Sequence, residues 1–380
     1  MSFIQLGLPK TLVAALAEQQ FQTATPIQEK AIPAILQGKE VLGIAKTGSG
    51  KTASFVLPIL TSLQGHTLAK NRHPLVLVIV PTRELAVQVG EVFKLFSKAL
   101  LDPIKTMVVY GGVSINPQMI GMNGVQVLIA TPGRLLDLVD SKAVHLSAVE
   151  TLVLDEADKM LNLGFKEEMT QIIELLPRKR QNLLFSATLS PNLDSLSAIL
   201  MHDPVVIRIE SEATKIDQIH QTSYLVAEEK KGPLLRYLIK TKAIHQVLIF
   251  TSSGYKADNV ANKLRKNGIQ AAAIHGKKSQ SARNNALNQF KAGNLPVLVA
   301  TDLLSRGIDI DALPYVINYE LPRSPKDYIH RIGRTGRASA YGIAISFVSP
   351  ESLRHFKVIL KKNKLYIDLI DSSTIDLKGY

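Results

Sequence analysis

Thirteen short runs rich in Val, Ile and Leu punctuate this chain, with helix-length amphipathic stretches between them. In the first half they are 41–45, 75–80, 106–110, 125–130, 151–155, 182–186 and 205–209. In the second half they are 222–226, 246–250, 270–274, 296–300, 315–319 and 343–348. Their hydrophobicity is continuous rather than alternating, so each predicts a strand buried on both faces. Such strands separated by helices predict parallel α/β sheets. The polar stretch 210–218, ESEATKIDQ, has no strong period and reads as a linker. At 380 residues the chain is therefore expected to hold two α/β domains of similar size. Residues 366–380 read as a short extension.

Charge divides unevenly along this plan. Residues 1–218 carry 20 Lys+Arg and 20 Asp+Glu, whereas 219–380 carry 25 and 12. The whole net charge of +13 thus sits in the second half, an asymmetry that suits a polyanion-binding surface. Cysteine is absent, which excludes disulfides and thiolate metal sites. That fits a reducing compartment, and a cytoplasmic location is expected. The start, MSFIQLGLPK, lacks a signal-peptide pattern, and the longest apolar runs are too short to cross a bilayer. No membrane partner is expected.

Residues 41–55, VLGIAKTGSGKTASF, read as a strand, a glycine-rich turn and a helix start, the order that cradles phosphate. In the loop Thr47-Gly48-Ser49-Gly50, the glycines let the backbone approach phosphate oxygens closely. Lys51 can reach the β- and γ-phosphates, and the Thr52 hydroxyl can ligate Mg²⁺. The strict pattern opens with Gly, where this chain has Ala45. The alternative is a glycine-rich turn with no ligand. A nucleotide site also needs a metal-holding carboxylate on a neighbouring strand. The run 151–154 delivers Asp155 to a strand's carboxyl end, where open α/β sheets bind ligands. Asp155 is the candidate Mg²⁺ ligand. Glu156 is placed to orient or deprotonate the attacking water. The alternative for this pair is an acidic helix N-terminus.

Asp155-Glu156-Ala157-Asp158 spells D-E-A-D. With AKTGSGKT, SAT at 186–188 and HRIGRTGR at 330–337, the chain resembles the DEAD-box family of ATP-dependent RNA helicases, in superfamily 2. The resemblance runs from Phe3 to residue 350, and the opening MSF…LGL is similar to the bacterial RhlE-type branch. It implies two tandem RecA-like domains, 1–209 and 219–365, each a parallel sheet flanked by helices, with a cleft between them. It implies ATP with Mg²⁺ and an RNA partner, single-stranded and duplex, held by mostly sequence-independent backbone contacts. A monomer is expected.

The resemblance also assigns residues. FQTATPIQ at 21–28 is similar to an adenine-reading motif, in which Gln28 bonds the adenine edge and Phe21 stacks on the ring. Phe3 matches the aromatic upstream. Thr25-Pro26-Ile27-Gln28 is equally a helix-capping box with Pro at the first helical position, and both readings stand. Pro81, Thr82 and Arg83, then Gly112 of the Gly111-Gly112 pair, then Thr131 and Arg134 of TPGR resemble RNA-backbone contacts. Each lies in a loop just after a predicted strand, and each is by itself also an ordinary turn. In the second half Gln280, Arg283, Thr301 and Gly307 resemble further RNA contacts, and Asp309 would bond the ribose. Lys277 and Lys278 add charge nearby or are simply solvated. Ser186 and Thr188 resemble the link between hydrolysis and strand separation, through a bond to Asp158. Arg334 and Arg337 match arginine fingers for the γ-phosphate, with His330 and Arg331 in an interdomain network. The alternative is an Arg cluster that binds RNA phosphates only.

The activity implied is local, non-processive unwinding of RNA duplexes, or remodelling of RNA–protein complexes, driven by ATP. Competing readings are an ATP-gated RNA clamp with little unwinding and a duplex-DNA translocase.

Overall fold

The computed structural model describes residues 1–46, 48–66, 71–102, 104–188, 191–209, 219–302, 313–336 and 342–380. The chain divides into two compact units, Met1–Ser211 and Glu212–Tyr380. The linker expected at 210–218 lies outside the described residues.

The first unit is built on one sheet of seven strands. These are β1 (Val41–Ile44), β2 (Val76–Ile79), β3 (Thr106–Val109), β4 (Val127–Ala130), β5 (Thr151–Asp155), β6 (Gln181–Ser186) and β7 (Val205–Arg208). Their order is β3-β4-β2-β5-β6-β1-β7, and each pairing is parallel. The second unit repeats the design with β8 (Ile219–Leu225), β9 (Val247–Thr251), β10 (Ala271–Ile274), β11 (Val297–Thr301), β12 (Tyr315–Asn318), β13 (Gly342–Val348) and β14 (Leu369–Asp371). Their order is β10-β11-β9-β12-β13-β8-β14, again all parallel.

Continuous hydrophobicity is what this architecture requires. Val76 and Val78 of β2 face one side, where they join Ile32, Phe55 and Phe93 from three helices. Leu77 and Ile79 face the other, with Leu135, Leu138, Met160 and Ile172. In the second unit Val247 and Ile249 pack on one face while Leu248 and Phe250 pack on the other. Each fully buried Leu, Ile or Val contributes about 1.5–3 kcal/mol relative to exposure, so neither face of the strand can turn polar.

Thirteen of the fourteen strands among the described residues fall on the predicted runs. The other, β14, lies in the segment that reads as a short extension. That segment is built into the second unit. β14 pairs with β8, the buried Ser372 donates to the Leu225 carbonyl at 2.7 Å, and Ile375 and Leu377 pack on the core. The Tyr380 ring meets Tyr237 edge-on at 5.2 Å between centroids.

Because all pairings are parallel, the loops that follow the strands gather on one edge of each sheet. In the first unit β5, β6 and β1 are neighbours, as are β3, β4 and β2. The DEAD, SAT and glycine-rich segments therefore share one half of that edge. The loops of Pro81, Gly112 and Thr131 share the other.

Candidate nucleotide and RNA sites

The glycine-rich turn leaves β1 and opens the helix Lys51–Ser62. Gly50 caps that helix at φ +93°, a left-handed conformation that glycine adopts without steric cost. A Cβ there would lie 2.5 Å from the Gln28 amide nitrogen. Gln28 is buried, and its Nε2 donates to the Gly50 carbonyl at 3.2 Å. Its Oε1 accepts from the Thr25 amide at 2.9 Å, the capping-box bond that starts the helix Pro26–Leu36. One side chain thus starts one helix and braces the loop that opens another. Phe21, 45% exposed, presents its ring 6.4 Å from that of Phe96. Phe3 is instead buried in the core of the first unit. Thr47 lies outside the described residues, and Thr52 is half-buried.

Lys51 is buried, and its ammonium donates to the Ala45 carbonyl at 2.5 Å and the Lys46 carbonyl at 2.9 Å. Burial lowers its pKa, against the pull of Asp155, Glu156 and Asp158. Asp155 ends β5 at 2% exposure. Burial, reinforced by the neighbouring Glu156 charge, pushes it up to about 7, with Lys51 opposing. Its Oδ1 accepts from the Glu156 amide at 2.9 Å. Glu156 has φ +54°, an uncommon backbone for a non-glycine residue and one that concentrates at functional sites. Its carboxylate meets Lys159 at 2.5 Å.

A divalent cation fits this donor set. Two buried carboxylates stand next to a turn whose Ser49 Oγ is buried without a hydrogen-bond partner among the described residues. Asp158 is also buried, and its Oδ2 accepts from Thr188 Oγ1 at 2.7 Å. Ser186 Oγ donates to the Thr188 carbonyl at 2.9 Å, which fixes the turn after β6.

On the other half of the edge, Thr82 caps the helix Arg83–Ser97 by accepting from the Leu85 amide at 3.3 Å. Pro81 before it is buried. Gly112 has φ +76°, and a Cβ there would strike the Arg83 guanidinium at 2.1 Å. Arg134 is buried rather than presented to solvent. Its Nη2 donates to the Val113 carbonyl at 2.9 Å and its Nε to Asp137 at 3.2 Å. Its Nη1 is buried without a partner among the described residues. Arg83 and Arg134 therefore both clasp the loop of Gly112. Thr131 stands at the start of the helix Pro132–Asp140.

In the second unit Gln280 accepts from Arg283, which is buried, and donates to Asn284 at 2.9 Å. Thr301 ends β11. Gly307, Asp309 and Arg337 lie outside the described residues. His330 is exposed and Arg334 is buried. Arg331, expected in an interdomain network, makes its described bonds inside its own unit. It binds Asp302 through two nitrogens, at 2.5 and 2.8 Å, and donates to Asn318 at 3.1 Å and the Glu320 carbonyl at 2.6 Å. Its guanidinium lies 4.9 Å from the centre of the Phe250 ring. The sequence reading missed Asp302 and Lys159. Asp302 follows directly on Thr301, and Lys159 stands three residues after Glu156, a spacing that signals a helical ion pair.

The profile of the DEAD/DEAH box helicase family matches residues 25–196, and that of the helicase conserved C-terminal domain matches 229–339. The ATP-dependent RNA helicase CshA of Listeria monocytogenes is 38% identical over 98% of this chain and 71% of its own length. CshA of Geobacillus kaustophilus is 36% identical over 99% of this chain and 79% of its own. Among solved structures, Saccharomyces cerevisiae Dbp5 bound to RNA and ADP BeF3 superposes with a TM-score of 0.84, at 30% identity and 98% and 96% coverage. A DEAD box protein of Methanococcus jannaschii is 35% identical with a TM-score of 0.53, covering 97% of this chain and 99% of that one. This chain belongs to the DEAD-box helicase family, and its two sheets are tandem RecA-like domains. The relatives carry the CshA name, so the RhlE-type placement gains no support from them.

Proposed function

We propose that the chain is an ATP-dependent RNA helicase that hydrolyses ATP to open RNA duplexes locally. The observation that carries this reading is the division of one sheet edge. Residues with nucleotide chemistry follow β5, β6 and β1, loops suited to a phosphate backbone follow β3, β4 and β2, and Thr188–Asp158 ties two of the nucleotide segments together.

In this reading Lys51 exchanges its carbonyl partners for phosphate oxygens, and the amides from Gly48 to Thr52 cradle the rest. Gln28 and Phe21 select adenine, Phe3 anchors the N-terminal segment, and Asp309 holds the ribose. Mg²⁺, held by Thr52 and Asp155, would supply charge neutralisation on the phosphates. Glu156 orients the attacking water. Arg334 and Arg337 meet the γ-phosphate, and a planar guanidinium suits its oxygens better than an ammonium does. His330, Ser186, Thr188 and Asp158 relay closure. Arg83, Gly112, Thr131, Gln280, Arg283, Thr301 and Gly307 contact RNA phosphates, so binding is largely blind to sequence. Arg134 acts through the loop it braces. The chain is proposed to act as a monomer, and the lack of cysteine supports work in a reducing compartment such as the cytoplasm.

The test is ATP turnover titrated with single-stranded RNA, duplex RNA and DNA, followed by multiple-turnover unwinding. RNA should stimulate turnover and DNA should not. Lys51→Ala should remove turnover, and Glu156→Gln should remove it while sparing nucleotide binding. Turnover stimulated equally by DNA would favour the translocase. RNA-gated turnover without strand separation would favour the clamp.

A further inference from the structure

We infer that the exposed face of the helix Leu353–Asn363, together with the Tyr366 ring just beyond it, is a second contact for the RNA backbone. It lies apart from the loops already described. The inference rests on the helicase reading only for its occupant, the flank of the RNA being unwound.

The helix reads LRHFKVILKKN. Phe356 and Ile359 are buried and Leu353 and Leu360 pack on the same cluster, while Val358 stays 44% exposed on the other side. On the opposite face Arg354, Lys357 and Lys361 are exposed at spacings of three and four, which makes them one stripe. Lys362 and Lys364 extend it, and no acid occurs between Glu351 and Asp368. Folding does not explain this pattern. Like charges at such spacings repel, and a solvated helix ordinarily mixes both signs. Lys361 and Lys362 gain from the helix C-terminus, but Arg354 stands in the first turn, where the helix dipole disfavours a cation, and Lys357 at mid-helix gains nothing from it. The stripe makes sense if an anion lies along it.

The end of the helix points the same way. Lys364 takes φ +54°, and the Leu365 amide donates back to the Leu360 carbonyl at 3.0 Å. That turn sends Leu365 into the cluster and leaves Tyr366 100% exposed. An aromatic ring in full solvent at the end of a cationic stripe suits stacking on an unpaired base. The stripe also widens sideways. His355 and Asn363 bond the carbonyls of Pro322 and Pro325 at 2.7 and 2.9 Å, which lays the exposed Arg323 and Lys326 alongside.

The contact is separate from the motif loops. The helix follows β13, which is three places from β11 and four from β10 in the sheet. At about 4.8 Å per strand, β13 stands roughly 14–19 Å from the strands that lead to Thr301 and Gln280. A membrane fits less well, because among the described residues of the helix Val358, 44% exposed, is the single apolar side chain on its cationic face, too little to enter a bilayer.

The test uses the full chain and the variant Arg354→Gln/Lys357→Gln/Lys361→Gln, with Tyr366→Ala made separately. RNA binding and RNA-stimulated turnover are measured with a short single strand and with a duplex carrying a long single-stranded flank, over a range of salt. The triple variant should melt as the parent does and keep its turnover at saturating RNA. It should need about tenfold more of the flanked duplex, with no change for the short strand. Its log–log salt slope should fall by about 2, since each lost single-strand phosphate contact removes about 0.7. Tyr366→Ala should weaken flanked-duplex binding several-fold. Equal affinity and equal slope in parent and triple variant would overturn the contact while leaving the helicase reading intact. So would unchanged RNA binding with lost binding to anionic phospholipid vesicles. A parent that binds the flanked duplex in this charge-dependent way, yet shows no RNA-stimulated turnover, would sink the helicase reading and keep the contact.

Discussion

Thr188 Oγ1 donates to Asp158 Oδ2 at 2.7 Å, joining the turn after β6 to the acidic turn after β5. The other carboxylate oxygen of Asp158 is buried without a hydrogen-bond partner among the described residues. Thr188→Val keeps the volume and removes the hydroxyl. It should cost about 1–3 kcal/mol of stability, the usual penalty for stranding a buried polar group. Because the bond couples two nucleotide segments rather than holding phosphate, RNA-stimulated turnover should fall less than unwinding does. The measurement is base pairs opened per ATP consumed. An unchanged ratio would remove the coupling role.

Asp155 titrates near 7 because it is buried next to Glu156, whereas its unfolded value is 3.8. Between these values the folded chain keeps a proton that the unfolded chain has lost. Stability of the nucleotide-free chain should therefore be highest below about pH 4 from this group, and fall as pH rises toward 7. The slope is at most about 1.4 kcal/mol per pH unit. Metal binding needs the carboxylate ionised, so Mg²⁺-dependent nucleotide affinity should rise across the same window. Denaturant unfolding from about pH 5 to about pH 8 reads the first effect, and Asp155→Asn should flatten it.

Gln28 is engaged at both ends, by the Thr25 amide and by the Gly50 carbonyl. The capping and adenine-reading interpretations therefore share one side chain. Gln28→Ala should cost about 1 kcal/mol through the lost cap. It should also reduce discrimination of ATP from GTP by about tenfold, since a lost hydrogen bond of about 1.4 kcal/mol is worth that factor. Competition of the two nucleotides for the chain checks the second effect. If only stability changes, the residue serves the helix and the loop alone.

Burial was the legible part of this fold. The run 75–80 around β2 reads LVLVIV because Val76 and Val78 fill one core while Leu77 and Ile79 fill another, and that pattern needs no knowledge of the partners. β14 was illegible for the converse reason. Leu369 and Ile370 are 37% and 40% exposed, so its place beside β8 comes from backbone pairing rather than from a hydrophobic run. Site residues followed the same divide. Asp155 and Lys51 could be placed because a strand end and a glycine-rich turn fix them locally. Arg134 reads in sequence as a free phosphate ligand, but its guanidinium is committed to the Val113 carbonyl, on a loop that follows a different strand. Arg331 has its described partners inside its own unit, and the nearest carboxylate among them, Asp302, is 29 residues away, so sequence could not point to it.

That last pairing gives a prediction that separates architecture from chemistry. Arg331 is 2% exposed and rests on Asp302, Asn318, the Glu320 carbonyl and the Phe250 ring, which draws β9, β11 and β12 together. Removing one partner of a fully buried pair costs about 3–5 kcal/mol, because the surviving charge is stranded. Asp302 is 30% exposed, so Asp302→Ala should cost less, about 2–3 kcal/mol after solvent screening. Arg331→Lys should also destabilise, since an ammonium cannot make the paired bonds. The Arg334 amide donates to the Arg331 carbonyl at 3.2 Å, so loosening Arg331 should displace Arg334 as well. Turnover should fall in both variants while nucleotide affinity holds. Denaturant unfolding and nucleotide binding measured together decide the matter. Full stability with lost turnover would make Arg331 a ligand of phosphate rather than a clamp of its own sheet.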